Sequence, residues 1–342
     1  MSSAPQTNHL YTQNVVACVW DFDKTLIPGY MQTPLFDFYG VNESVFWSEV
    51  NKLPEIYAQR ALSVSTETIY LNHLLSYVKN GPMRGLTNQK LFELGKDLEF
   101  YPGLPDFFGE LSAIPQEPNF KEHDIKVEHY IISTGLGKMI AGSKVSSHVS
   151  GIYASEFIES ALPPNFLSQT DLYLPLDPEI TQIGLAVDNT IKTRFIFEIN
   201  KGCNKNPSIE VNSSIPHELR RVPLEQLIYV ADGPSDVPVF AVVKQMGGKT
   251  YAVYDPSDEE EFAQTCGLVE SGRVHNNGPA DYTSKSSTAI WMKQKIREII
   301  SSMIKKREQN LKTNTKSAPK HMPKSIPNQS VEEWRQESLW SQ

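Results

Sequence analysis

The sequence predicts an α/β fold built on a parallel sheet and interrupted early by a helical segment. Three observations carry that expectation. Val15–Trp20, His129–Ile132 and Leu227–Ala231 are apolar runs without polar alternation, the pattern of strands buried on both faces. Each run ends abruptly in carboxylate or hydroxyl residues: Asp21-Phe22-Asp23, Ser133-Thr134-Gly135 and Asp232-Gly233-Pro234-Ser235-Asp236. Between the first run and the second, from Pro28 to about Tyr101, the apolar residues keep helical spacing and no strong strand pattern occurs.

In chain order, Val15–Trp20 is the first strand, and Ile27-Pro28-Gly29 breaks it off as a turn. Val45, Phe46 and Val50 predict a helix over Asn42–Asn51, and Ile69, Leu71, Leu74, Leu75 and Val78 predict one over Ser65–Lys79. Asn80-Gly81-Pro82 stops that helix, because glycine permits a positive φ and proline cannot continue it. Thr87 is a suitable N-cap for a third helix carrying Leu91, Leu94 and Leu98. Phe107, Phe108 and Leu111 suggest a helix that returns the chain to the main body. After the His129 strand, a helix from about Lys138 would aim its first amides at the Ser133–Gly135 turn, a favourable place for a phosphate. Gly151–Phe157 and Leu172–Leu176 read as short strands or loop elements with Pro163-Pro164 between them, Asn189–Asn200 as a helix, and Lys201–Arg221 as a polar surface excursion. Beyond Leu227–Ala231, the expectation is a helix over Val237–Val243, a strand over Thr250–Tyr254 and an amphipathic helix over Ala289–Ile304.

These elements divide the chain into a flexible N-terminus (1–13), a core (14–27 and 102–304), a helical cap (28–101) and a flexible C-terminal tail (305–342). The tail is rich in Lys, Asn, Ser, Pro and Gln, too polar to offset its own ordering entropy, although VEEWRQESLW near its end could dock as a short helix. It carries a net charge of about +4, so the rest of the chain is strongly acidic within an overall −8, which argues against nucleic acid as a partner. No apolar stretch approaches the ~20 residues that a membrane span needs, and no secretory signal is evident, so cytoplasmic location without membrane attachment is the expectation. Cys18, Cys203 and Cys266 are scattered and fit neither a disulfide framework nor a zinc site.

The chemistry centres on Asp21 and Asp23. Two carboxylates this close repel unless a cation lies between them, and a hard divalent ion such as Mg²⁺ is the economical candidate. Asp232 and Asp236 repeat the pattern at the end of another strand. Lys192 stands near a helix start, where the dipole disfavours a cation, a mild misfit that favours a functional role.

Taken in order, DFDKT, IISTG, Lys192 and ADGPSD, with a helical insertion between the first two, resemble the haloacid dehalogenase (HAD) superfamily. More narrowly, they are similar to its phosphoserine-phosphatase-like branch, in which a helical cap follows the first motif. The resemblance spans roughly residues 14 to 300 and implies a Rossmann-like core. It also implies a hydrolase acting on phosphoric monoesters, with Asp21 as the nucleophile that forms an aspartyl-phosphate and Asp23 as the general acid and base. Mg²⁺ would be held by the Asp21 carboxylate, the Asp23 backbone carbonyl and Asp232, with Asp236 as an additional or outer ligand. Ser133 and Lys192 would bind the phosphoryl oxygens. Thr134 and Lys201 are the respective alternatives if the register differs.

A second aspartate suits a phosphate ester, whose leaving oxygen needs a proton, rather than a halide. The chain departs from the branch at Ala231, where glycine is frequent, and at Gly29-Tyr30-Met31-Gln32, which lacks the carboxylate that holds the ammonium of phosphoserine. The expected partner is therefore a small phosphorylated metabolite other than phosphoserine. A phosphotransferase, or a regulatory protein on the same fold, are the alternatives. Arg60, His73 and Arg84 are cap candidates for substrate contact, and the oligomeric state is not legible.

Overall fold

The computed structural model describes residues 13–162, 164–168 and 178–315. The expected strand Leu172–Leu176, Pro163, the segment 1–12 and the end of the tail with VEEWRQESLW lie outside them. The chain divides into two compact units, Met1–Ser301 and Ser302–Gln342. In the second, the described residues are helical up to Thr315.

The first unit is built on one sheet of seven strands: β1 (Val15–Trp20), β2 (Lys126–Leu136), β3 (Gly151–Glu159), β4 (Ile180–Leu185), β5 (Leu227–Ala231), β6 (Lys249–Tyr254) and β7 (Asn276–Pro279). Their spatial order is β4-β3-β2-β1-β5-β6-β7, parallel throughout except for the antiparallel β3–β4 pair. Every residue of β1 and of β5 is buried, as their unalternating sequences require. β1 lies between β2 and β5, where successive crossovers turn to opposite sides. This is the switch point at which doubly wound sheets open a crevice beyond the carboxyl ends of their strands.

Between β1 and β2 lie α1 (Thr33–Tyr39), α2 (Glu43–Ala58), α3 (Ile69–Asn80), α4 (Asn88–Leu94) and α5 (Asp106–Ala113). Residues 28–101 contain helices and turns without a strand, as the spacing predicts. The Asn42 side chain caps α2 on the Val45 N–H at 3.0 Å, and the Thr87 hydroxyl caps α4 on the Lys90 N–H at 3.0 Å. The insertion leaves the sheet after Leu26 and returns where the Tyr101 N–H donates to the Leu26 carbonyl at 3.0 Å. It also rests on the outer strands. The Ile180 N–H donates to the Leu86 carbonyl, and Asn88 donates its backbone N–H to Glu159 and its side-chain amide to the Phe157 carbonyl.

After β2 come α6 (Gly137–Gly142), α7 (Ile191–Lys201), α8 (Val237–Gln245), α9 (Glu259–Glu270) and α10 (Ser287–Thr315). Gly95 and Gly142 mark where α4 and α6 meet backbone to backbone. A Cβ on Gly95 would lie 2.0 Å from the Met139 carbonyl oxygen, and one on Gly142 would lie 1.8 Å from that of Phe92. Four elements go beyond the expectation: α1, α9, β4 and β7. The last helix runs past Ile304, where the apolar stripe ends, because Lys305 to Gln309 are good helix formers even without burial. The tail expected to be flexible from residue 305 is thus helical over its first residues.

One face of β1 packs Trp20 against Phe107, Phe108 and Tyr282, with ring centroids 5.4 to 6.3 Å apart. Beneath them lies His129, buried, whose Nδ1 accepts from the Trp20 indole N–H at 3.3 Å and whose Nε2 lies 3.1 Å from the Phe108 carbonyl. That pairing suits the neutral ring protonated at Nε2. A second proton at Nδ1 would face the indole donor, and burial pushes the ring's pKa down from 6.5 to about 4. The folded state therefore favours the neutral form. The stability this contributes is full above pH 6.5 and is lost as pH falls from there to about 4, up to about 3 kcal/mol. Denaturant titrations across this range are expected to show the loss in the native protein and a flattened profile in His129→Gln; an unchanged profile would assign the acid sensitivity elsewhere.

Candidate active site

Strand β1 delivers Asp21 to the crevice by continuing the ladder for one residue, its N–H donating to the Val230 carbonyl at 2.9 Å. The chain then folds tightly. The Phe22 carbonyl accepts from Thr25, Leu26 and Ile27, and Lys24 takes a positive φ of 56°, a conformation that costs a lysine energy. Its ammonium is held by Glu261 of α9 at 2.8 Å, which fixes the loop from outside. Asp23 points elsewhere than Asp21: its Oδ1 accepts from the Met31 N–H at 2.9 Å.

The β5 strand delivers Asp232 and Asp236 from the other side, and α7 supplies Lys192. Carboxylate oxygens of Asp21, Asp232 and Asp236 lie within 4.8 Å of one another. The Lys192 ammonium, 1% exposed, donates to Asp21 Oδ1 at 2.9 Å and to Asp236 Oδ1 at 2.7 Å. Asp236 is fully buried and also accepts from the Tyr229 and Ser235 hydroxyls, the latter at 2.8 Å. Asp236 takes three donors and holds Lys192 in place, and with Asp21 and Asp232 it offers a carboxylate oxygen that could hold a cation. Three carboxylates against one ammonium leave the cluster net negative, and its donors are all hard oxygens. That combination fits Mg²⁺.

The charges act on one another accordingly. Burial would push the Lys192 pKa down, but the charges and hydrogen bonds of Asp21 and Asp236 outweigh it and hold the ammonium ionised. Burial raises Asp21 to about 6 against the pull of Lys192. Asp23 is pushed up to about 8 by burial and then by the Asp21 charge, so it keeps a proton near neutrality. Asp232 is raised well above the usual carboxylate range by its dense surroundings and by Asp21 and Asp236.

Ser133 and Thr134 come from β2, which continues through them to Leu136 with a register shift against β3 after Ile132, rather than ending at Ile132. The buried Ser133 hydroxyl accepts from the Gly135 N–H at 3.0 Å, which orients it and leaves its own proton to donate. Thr134 contributes its carbonyl, which accepts from Tyr70 at 2.7 Å and from Ser155 at 3.0 Å. Lys201 lies away from the cluster, its ammonium donating to the Val211 and Ser213 carbonyls. His73 is engaged with Glu49 at 2.8 Å.

Three residues escaped the sequence reading. Tyr229 sits inside an apolar run and reads as core. Tyr70 lies within the predicted helix over Ser65–Lys79 but not among the apolar positions that predict it, and Met31 acts through its backbone N–H. Only the tyrosine hydroxyls, which need partners when buried, could have signalled the first two. Replacing Lys192 with Met leaves two buried carboxylates uncompensated, so Lys192→Met is expected to lose about 3 to 5 kcal/mol in chemical denaturation. A loss below 1 kcal/mol would show that the cluster does not depend on that ammonium.

No protein-family model matches the chain. An uncharacterized protein of Borreliella burgdorferi is 37% identical over 288 residues, covering 83% of this chain and 97% of its own. Among solved structures, a probable phosphoserine phosphatase from Vibrio cholerae has 14% identity and a TM-score of 0.45, over 87% of this chain and 67% of that one. A HAD family hydrolase from Salmonella enterica serovar Typhi has 12% identity and a TM-score of 0.43, over 77% of this chain and 66% of that one. Likenesses so distant carry no chemistry. The four motifs gather at the switch point beside β1. The chain belongs to one family with the Borreliella burgdorferi protein, and its core is a mostly parallel Rossmann-like sheet.

Proposed function

We propose that the chain is a Mg²⁺-dependent phosphatase that hydrolyses a small phosphomonoester through an aspartyl-phosphate on Asp21. The observation that carries this reading is the convergence of Asp21, Lys192, Asp232 and Asp236, from three separate elements, at the switch point of the sheet. Two residues after Asp21 the chain turns through Asp23, a carboxyl that burial and the Asp21 charge bias toward its protonated form.

The Asp21 carboxylate attacks phosphorus, forming the carboxyl O–P bond as the ester P–O bond breaks. Asp23 gives its proton to the leaving oxygen, so an alcohol departs rather than an alkoxide. Asp23, now a carboxylate, takes a proton from the water that attacks the same phosphorus, and hydrolysis returns Asp21 and inorganic phosphate. Lys192 and the Ser133 hydroxyl balance charge on the phosphoryl oxygens while the group is between oxygens. Asp21, Asp232 and the Asp23 carbonyl would hold the cation, which when bound offsets the negative charge of phosphate and carboxylate so that they can approach. Asp21 is 6% exposed and Ser133 1%, with Met31 and Tyr70 of the insertion packed on this region, so substrate entry requires the insertion to shift.

With Mg²⁺ present, Asp21→Asn is expected to lose at least about a thousandfold in turnover of p-nitrophenyl phosphate while keeping its circular dichroism spectrum, and chelation of the wild type should abolish turnover reversibly. Retained activity in the variant would remove Asp21 as nucleophile. Asp23→Asn should slow an alkyl phosphate at least about tenfold more than p-nitrophenyl phosphate, whose leaving group departs without a proton; equal losses would deny Asp23 the role of acid.

A further inference from the structure

The phosphoryl chemistry leaves one buried donor at the site without a task. Tyr229, in the middle of β5, is fully buried, and its hydroxyl donates to Asp236 Oδ1, the same oxygen that takes the Lys192 ammonium at 2.7 Å. The tyrosine itself is held on every side. Its backbone stands between Val19 of β1 and Thr250 of β6, and its ring packs edge-on against Phe240 of α8, with centroids 5.5 Å apart. The hydroxyl is therefore a fixed point on the sheet.

Asp236 has little else to fix it. The Ser235 hydroxyl that donates to its Oδ2 at 2.8 Å belongs to the same turn, as does the Gly233 carbonyl that accepts its N–H at 3.1 Å. Both travel with the carboxylate. Among the described residues, only Tyr229 and Lys192 hold the Asp236 side chain from other elements. The same strand also secures the far end of the ion pair, because the Asp21 N–H donates to the carbonyl of Val230, the residue after Tyr229, at 2.9 Å. The gap that Lys192 bridges, 2.9 Å to Asp21 Oδ1 and 2.7 Å to Asp236 Oδ1, is thus set from β5 at both ends. Without the Tyr229 hydroxyl, Asp236 can turn away and Asp21 becomes the better-fixed partner. An ammonium closed onto Asp21 alone would neutralise the oxygen that attacks phosphorus and would no longer be aimed at the phosphoryl group.

We propose that Tyr229 is a positioning residue: by anchoring Asp236 to the sheet it keeps Lys192 shared between Asp236 and Asp21, so that the nucleophile does not take the whole ammonium. The effect on turnover rests on the phosphatase reading above, whereas the effect on the ammonium rests on the ion pairs alone. A tyrosine buried only for packing, whose hydroxyl merely needs an acceptor, would give up stability on losing it but would move neither turnover nor the ammonium.

Tyr229→Phe removes the hydroxyl and keeps the ring on Phe240, so the fold is retained. In the full-length protein with Mg²⁺ and p-nitrophenyl phosphate, the variant should lower kcat about tenfold or more while KM stays within about threefold of wild type. Crystal structures of both proteins without metal should show the Lys192 ammonium bridging the two carboxylates in wild type. In the variant it should lie beyond hydrogen-bond distance of Asp236 and still on Asp21. A kcat within about twofold of wild type, or a lower kcat with the ammonium still bridging, would overturn the proposal. Should the wild type turn over no phosphomonoester at all, the phosphatase reading falls and the crystal structures alone decide for Tyr229: a displaced ammonium supports its hold on Asp236, and an unmoved one overturns it.

Discussion

A single ammonium holds the carboxyl end of this sheet together. Lys192 reaches from a helix between β4 and β5 into a pocket that is otherwise all carboxylate, and divides itself between Asp21 and Asp236. Buried ion pairs of this kind are poor investments in stability, since apolar residues of equal volume would hold the strands as well or better. The arrangement makes sense as stored electrostatics, with a positive charge already desolvated and aimed before any phosphate arrives. Tyr229 and Ser235 serve the same end one step removed, saturating Asp236 so that it anchors the ammonium.

The sheet turns this local balance into a site. Because β1 is flanked by β2 and β5, the strand ends bearing Asp21 and Asp232 and the last residues of β2, with Ser133 among them, lie side by side, although the residues are far apart in the chain. Lys24 completes the frame from outside: its ion pair with Glu261, whose other oxygen accepts the Asp255 N–H, ties the turn just after Asp23 to the β6 side of the sheet.

Much of this was legible in the sequence for a definite reason. Strands buried on both faces leave an unalternating apolar signature, and carboxylates directly after such strands have few structural excuses. Val15–Asp23 and Leu227–Asp236 could hardly be read otherwise. Where one face is solvated or the element is short, the signal fades. The β4 strand has four of its six residues outside the buried core and exposed, and β7 is Asn-Asn-Gly-Pro, a turn by composition that pairs only because β6 offers it an edge. The fine structure of the site was illegible for another reason. Whether Asp236 binds metal or holds Lys192, and whether Lys192 or Lys201 reaches the pocket, depends on three-dimensional distances that spacing does not encode.

The hydrogen bond from Tyr101 to Leu26 has an architectural consequence. It brings the exit and re-entry of the insertion together at one point beside the first motif, so to the sheet the whole excursion is equivalent to a short loop. On the proposed phosphatase reading, substrate preference and catalytic machinery are thereby physically separable: the excursion can be exchanged for another of different size without altering strand register. The contact of α4 with α6 limits that freedom. Any replacement module must also present a bare backbone face to Gly142, or α6 loses its cover.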